Sequence, residues 1–202
     1  MYKTVIFDMG RVLIHFDFEP GFRILAEACP HSPERIPRII EEHNLVEALE
    51  TGRMSPLEFF EEARRLLSLR MDFEAFCGVW TGIFTGPLVP ESLLEGLAAR
   101  YRLLLLSNTN ALHFGLVTAR YHSHFRHFHG FVLSHEIHAM KPDPRIYEAV
   151  LREAGCLPGE CFYTDDIPEF VEAARRHGID AEVFQGAQKL EQDLRERGIE
   201  WQ

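Results

Sequence analysis

From residue 86 to the C-terminus, short unbroken apolar runs alternate with stretches of helical periodicity, and few architectures accommodate that order. Leu103–Leu106 is a run of leucines ending at Ser107. Phe131-Val132-Leu133, Cys161-Phe162-Tyr163-Thr164 and Ala181–Phe184 follow, separated by helix-like segments. Runs this short, without polar alternation, read as strands buried on both faces. Between them, Pro90–Arg100, residues 110–121, the segment from Pro144 to Gly155 and Pro168–His177 read as helices. Their ends carry punctuation: Asp143-Pro144 opens one, Gly155 and Gly178 stop two, and a last helix ends near Gly198. Strands alternating with helices imply a parallel, doubly wound α/β sheet.

Thr4–Phe7 supplies one more buried strand at the N-terminus. Residues from about 16 to 85 show no strand pattern and read as helical throughout. Ser55-Pro56-Leu57-Glu58 combines a capping box with proline at the first helical position, and Leu57, Phe60, Ala63 and Leu67 follow on one face. Asp72 caps a further helix bearing Phe73, Phe76, Val79, Trp80 and Phe84. The predicted organisation is therefore a core of residues 1–15 and 86–202, with a helical insertion at 16–85.

Length permits one such domain with its insertion in 202 residues. Lys and Arg number 21 against 31 Asp and Glu, a formal charge of −10, so the overall field attracts neither nucleic acid nor an anionic membrane surface. Cys29, Cys77, Cys156 and Cys161 form no CxxC pair, and neither a leader-like segment nor a span of transmembrane length is visible. The expectation is a soluble cytoplasmic protein with reduced thiols; its oligomeric state is not legible.

In sheets of this kind the functional site lies beyond the carboxyl ends of the strands. Asp8, Ser107 and the Asp165-Asp166 pair each stand where a predicted strand finishes, with Lys141-Pro142 between the last two. One aspartate after a strand is ordinarily a turn or a helix cap, and one lysine before proline an ordinary surface residue. Together they offer what phosphoryl transfer needs: a nucleophile, a fixed cation, and carboxylates for a hard metal such as Mg²⁺. Asp8 would attack phosphorus, Asp166 with Asp165 would join it in holding the metal, and Ser107 with nearby backbone N–H groups would bind phosphoryl oxygens. Lys141 would supply positive charge.

Phe-Asp-Met-Gly-Arg-Val-Leu, Leu-Leu-Ser-Asn-Thr-Asn, Lys-Pro-Asp-Pro-Arg-Ile-Tyr and Tyr-Thr-Asp-Asp, in this order and spacing, resemble the four motifs of the haloacid dehalogenase (HAD) superfamily over nearly the whole chain. Ser107–Asn110 followed by Leu112-His113, with Arg145-Ile146-Tyr147, is most similar to the branch of glucose-1-phosphate phosphatases and the N-terminal phosphatase domain of soluble epoxide hydrolase. The resemblance implies a Rossmann-like core with a helical cap and a Mg²⁺-dependent phosphatase acting on a small phosphorylated metabolite. It makes Asp8 the nucleophile and Asp8, Asp166, Asp165 and the Gly10 carbonyl metal ligands. Met9, Gly10, Ser107, Asn108 and Lys141 become phosphate-binding positions.

Three positions depart from the commoner pattern. Gly10 replaces an acid/base aspartate, His138 stands where relatives often have glycine, and Phe170 where close relatives have asparagine. A positioned general acid or base contributes about 10²–10⁴ in rate, so Gly10 predicts a preference for leaving groups that need no proton. His15 and Asp17 are the nearest substitutes in sequence, though each reads more readily as an ordinary loop or cap residue. Two other functions stay open: carbon–halogen hydrolysis by Asp8, against which the paired acids at 165–166 argue, and a catalytically weak relative that binds a phosphorylated ligand or a protein. Of the weaker signals, His122, His124, His127 and His129 read as a histidine-rich loop rather than a metal site. Phe76, Trp80 and Phe84 could line a substrate pocket from the insertion but read rather as core packing, and Glu47, Glu50 and Arg53 as a solvated helix face or a cap-loop contact.

Overall fold

A computed structural model describes residues 1–202. Its strands and helices run in the order β1 (Thr4–Phe7), β2 (Ile14–Phe16), α1 (Glu19–Glu27), α2 (Arg35–Glu42), α3 (Leu45–Glu50), α4 (Pro56–Leu67), α5 (Phe73–Thr81), β3 (Phe84–Pro87), α6 (Glu91–Ala98), β4 (Arg102–Ser107), α7 (Ala111–Arg120), α8 (His122–Phe125), β5 (Gly130–Leu133), α9 (Ser134–Ile137), α10 (Pro144–Ala154), β6 (Cys161–Asp165), α11 (Pro168–Arg176), β7 (Asp180–Val183) and α12 (Ala187–Glu196).

The apolar runs form a five-stranded parallel sheet in the order β5-β4-β1-β6-β7. Strand alternation sends Val5, Phe7, Leu103, Leu105 and Phe162 into one core, covered by α6, α7 and α12. Ile6, Leu104, Leu106 and Tyr163 enter a second core under α10 and α11. A central parallel strand must be apolar on both faces, which is why β1 and β4 carry no polar alternation. Each fully buried Leu, Ile or Phe contributes about 1.5–3 kcal/mol, so these strands anchor the sheet and leave its carboxyl edge free for polar residues. Register aligns Phe7 with Leu105 on one side and with Thr164 on the other, bringing the ends of β1, β4 and β6 to one level.

Helices α1–α5 pack around a cluster of their own that includes Leu25, Ile36, Phe59, Phe76 and Trp80. The predicted capping box is present: Glu58 N–H donates to Ser55 Oγ at 3.3 Å and Ser55 N–H to Glu58 Oε2 at 2.8 Å. Asp72 accepts from Ala75 N–H at 2.9 Å and so opens α5. No helix is long and apolar enough to cross a membrane.

The helical reading of 16–85 needs one correction. α5 stops at Thr81, and Phe84–Pro87 is a strand pairing antiparallel with Ile14–Phe16. This two-stranded ribbon joins the insertion to the sheet. Its halves lie some 70 residues apart and each spans only three or four residues, too few to show a period of two.

Candidate active site

Asp8 continues β1 by one residue: its N–H donates to the Thr164 carbonyl at 3.0 Å, and its carboxylate emerges at the carboxyl edge of the sheet. Lys141 comes from the loop between α9 and α10. That loop is tied to the end of β4 by a reciprocal pair, Lys141 N–H to Asn108 Oδ1 at 2.8 Å and Asn108 Nδ2 to the Lys141 carbonyl at 3.1 Å. The peptide bond between Lys141 and Pro142 is cis. So fixed, the ammonium group is buried and reaches Asp8 at 2.7 Å and Asp165 at 2.6 Å, with Tyr163 Oη and the Leu106 carbonyl at 3.2 Å.

Burial opposes the charge on Lys141, but the carboxylates of Asp165 and Asp8 outweigh it and hold the ammonium above its ordinary range. Asp8 is pushed up to about 7 by burial and by Asp165, against the pull of Lys141. Burial and Asp165 raise Asp166 as well. Three carboxylates crowd one edge with one ammonium among them. That arrangement has negative charge in excess and suits a cation.

Oxygens of Asp8, Asp165 and Asp166 lie within 4.8 Å of one another, a hard-donor set matching the preference of Mg²⁺ for carboxylates. The three are not equivalent. Asp165 Oδ2 already accepts from Lys141 and Tyr163, and its Oδ1 from Ile167 N–H at 2.9 Å. Asp166 is partly exposed and takes no hydrogen bond from another residue, so its oxygens are free for a ligand.

These groups open into a cavity of about 280 Å³ whose wall includes Asp8, Met9, Gly10, Asn108, Lys141, Asp165 and Asp166. Every site residue expected from the sequence lies there except Ser107. Its hydroxyl is buried below the floor and comes no closer to a partner than 3.5 Å, at the Asn108 carbonyl. Thr109 contributes to the wall, but its hydroxyl is buried as well and has no hydrogen-bond partner. Neither His15, bonded to Thr85 Oγ1 at 2.8 Å, nor Asp17, which accepts from Glu19 N–H, lines the cavity.

Other wall residues were not selected from the sequence. Arg11 follows Gly10 in a left-handed conformation (φ 58°) and lays its guanidinium over Phe16, 5.0 Å from the ring centre. Phe84, read from the sequence as core with a pocket-lining alternative, does both: it is buried in the core under the sheet and also borders the cavity. His113 donates through Nε2 to the Trp80 carbonyl at 3.0 Å and receives Asn110 Nδ2 at Nδ1, 3.2 Å away. Burial pushes it down to about 4, opposed by the bond to Trp80, so it is neutral. Glu50, at the end of α3, reaches the same wall from the insertion. The Glu-x-x-Glu-x-x-Arg pattern allowed a solvated face or a cap-loop contact but no place in the site; Glu47 and Arg53 do pair at the surface, whereas Glu50 borders the cavity.

The departures acquire structural reasons. Phe170 covers Lys141, its ring centre 5.1 Å from Nζ. His138 is left-handed (φ 57°), as a glycine there would be, and its Nδ1 lies 2.9 Å from the Thr51 carbonyl of the insertion. A Cβ on Gly10 would come within 2.7 Å of the Phe16 ring. The histidines of 122–129 do not converge: His129 accepts from Leu103 N–H at 3.0 Å and His127 approaches Glu91 at 3.5 Å.

The model of the haloacid dehalogenase-like hydrolases matches residues 2–178. D-ribitol-5-phosphate phosphatase of Bacteroides thetaiotaomicron is 23% identical over 192 residues, 92% of each chain. The crystal structure of a HAD family enzyme from the same organism, in complex with magnesium and inorganic phosphate, superposes with a TM-score of 0.79 at 26% identity, covering 91% of this chain and 94% of that one. A predicted HAD-like family hydrolase from Porphyromonas gingivalis does so with a TM-score of 0.84 at 25% identity over 99% of both chains.

Proposed function

Since the chain belongs to the haloacid dehalogenase-like hydrolases, with phosphatases among its relatives, we propose that it is a Mg²⁺-dependent phosphatase of a small phosphorylated metabolite, a sugar or polyol phosphate, working through an aspartyl phosphate on Asp8. The observation carrying this reading is the convergence, in one cavity, of Asp8, Lys141 at 2.7 Å, and the partner-free carboxylate of Asp166.

Asp8 Oδ attacks phosphorus in line with the ester oxygen, whose bond to phosphorus breaks; water then cleaves the acyl phosphate and restores the carboxylate. Lys141 favours the ionised form of Asp8 and orients it, and its charge offsets that of the incoming phosphate. Asp165 holds the ammonium in place through its own contact at 2.6 Å. Asn108 fixes the lysine loop, and the backbone of Met9 and Gly10 offers donors to phosphoryl oxygens. Asp8, Asp166 and the Gly10 carbonyl would hold the Mg²⁺, which when bound offsets repulsion between the nucleophile and a phosphate dianion. Arg11 adds a second cation at the rim. The helices between residues 16 and 85 act as a cap whose inner wall contacts the leaving group.

Carbon–halogen hydrolysis would need no metal and leaves the surplus of carboxylates unexplained. The test is an assay of p-nitrophenyl phosphate and a panel of sugar and polyol phosphates with Mg²⁺, with EDTA, and with Asp8→Asn. Turnover lost on chelation and on substitution is expected. Turnover indifferent to EDTA would overturn the metal role of Asp166, and retained turnover in Asp8→Asn would overturn the intermediate.

A further inference from the structure

An alkyl phosphate cannot release its alcohol easily unless the leaving oxygen receives a proton, and Gly10 brings no side chain to give it. The cavity holds few alternatives. Lys141 is committed to two carboxylates, Arg11 does not deprotonate, and both ring nitrogens of His113 are engaged. Asp8, Asp165 and Asp166 are occupied as nucleophile, lysine anchor and metal carboxylate. Glu50 remains. It lines the cavity, makes no side-chain hydrogen bond or ion pair, and stands at the end of α3 in the insertion, away from the strands that carry the other acids. It also lines, with Phe18, a neighbouring cavity of about 330 Å³ walled by Phe22, Ile40 and Trp80. A substrate with its phosphate over Asp8 and its organic part toward that second space carries its ester oxygen past Glu50.

Resting on the phosphatase reading above, we propose that Glu50 is the general acid and base of the reaction, supplied from the insertion in place of the side chain that Gly10 lacks. As the P–O ester bond breaks, its electron pair stays on the leaving oxygen, which takes the Glu50 proton and departs as the alcohol. Glu50, now a carboxylate, accepts a proton from the water whose oxygen attacks phosphorus. The P–O bond to Asp8 breaks, and Glu50 ends protonated as it began.

Burial, opposed only by Lys141, pushes Glu50 up to about 7, where a carboxyl serves in both directions. The charged and titratable groups around it are Lys141 and Arg11 with Asp8, Asp165, Asp166 and the neutral His113 along the catalytic cavity, Glu41 and Glu47 at the second, and His135 and His138 on the segment against which α3 packs. A leaving-group preference expected from Gly10 alone is thereby lifted, and alkyl phosphates become substrates.

The test is kcat/KM across a series of aryl and alkyl phosphates, from p-nitrophenyl phosphate to a pentitol phosphate, for wild type and Glu50→Gln with Mg²⁺. The variant should lose about 10²–10³ on alkyl esters and less than about tenfold on p-nitrophenyl phosphate, since only the poor leaving group needs the proton. Glu50→Asp should retain part of the alkyl activity. Wild type should also show a basic limb in kcat/KM for alkyl esters that is absent for p-nitrophenyl phosphate, a readout needing no variant. Equal losses on both series, a rise in KM alone, or identical pH profiles would overturn the role of Glu50 while leaving the phosphatase standing. No metal-dependent turnover of any ester by wild type would overturn both.

Discussion

His138 Nδ1 lies 2.9 Å from the carbonyl oxygen of Thr51, and this contact couples the insertion to the loop that delivers Lys141. His138 stands three positions before the lysine, and Thr51 directly follows Glu50. Gly52 completes the junction: it has φ 66°, and a Cβ there would meet the His135 carbonyl at 2.3 Å.

His138→Gly should therefore separate stability from activity. Removing the hydrogen bond costs about 1 kcal/mol, while glycine relieves a left-handed backbone by about 1–2 kcal/mol. The melting temperature should stay nearly unchanged while kcat/KM falls several-fold, because the turn carrying Glu50 loses its tether. Gly52→Ala should lower both, since strain and the clash with the His135 backbone cannot relax independently. A combined thermal melt and steady-state assay checks the pair; a large drop in the melting temperature of His138→Gly would contradict this account of the contact.

Lys141 is buried among carboxylates, so its loss should be felt in the fold as well as in the reaction. Lys141→Met leaves Asp8 and Asp165 facing each other without a counter-charge, and breaking a buried pair costs about 3–5 kcal/mol. Activity should fall below about 1% of wild type, an electrostatic group of this kind contributing about 10²–10³ in kcat. Lowering the pH should narrow the stability gap, because protonating the stranded carboxylates removes their repulsion. Urea denaturation at pH 5 and pH 7 measures it.

Much of the cavity wall was legible in the sequence. Asp8, Lys141 and Asp166 sit at strand ends or in a tight loop where chain position and chemistry coincide, so the alternating pattern singled them out, whereas Asn108 came only from the family resemblance. Glu50, Thr109 and Arg11 were not recoverable in the same way. Glu50 reaches the cavity only because α3 docks on α9, a long-range packing event with no local periodicity. The β2–β3 ribbon escaped for the same reason: each half is short, and its partner is distant in sequence. Phe84 followed from that miss, assigned to a helix that ends before it.

His113 gives stability a defined pH dependence. Folded, it is held near 4 by burial; unfolded, it titrates near 6.5. The neutral ring suits its surroundings, donating at Nε2 to Trp80 and accepting at Nδ1 from Asn110, whereas an added proton at Nδ1 would face the Asn110 amide hydrogens. Because the folded value is depressed, the unfolded chain binds the extra proton first. The contribution is complete above about pH 6.5 and is lost as pH falls toward 4, by about 1.4 kcal/mol per unit. Wild type should lose roughly 3 kcal/mol more than His113→Gln between pH 7 and pH 4. Equal slopes in denaturant titrations of the two proteins would refute the assignment.

Gly10 and Phe16 make the final case, because restoring an aspartate at position 10 tests whether the site lacks a residue or lacks the space for one. A Cβ at Gly10 would stand 2.7 Å from the Phe16 ring, which is itself wedged against Phe18 and Phe84 and covered by Arg11. Gly10→Asp should destabilise by about 1–3 kcal/mol through overpacking and should reduce rather than raise turnover. Gly10→Asp with Phe16→Ala opens room for the carboxylate and should recover turnover of alkyl phosphates lost in Gly10→Asp. Placed in a Glu50→Gln background, the double change should return alkyl activity that Glu50→Gln alone lacks, since one proton carrier then substitutes for another. If Gly10→Asp alone already raises alkyl turnover, Phe16 is not the obstacle and the aromatic wall yields more easily than its packing implies.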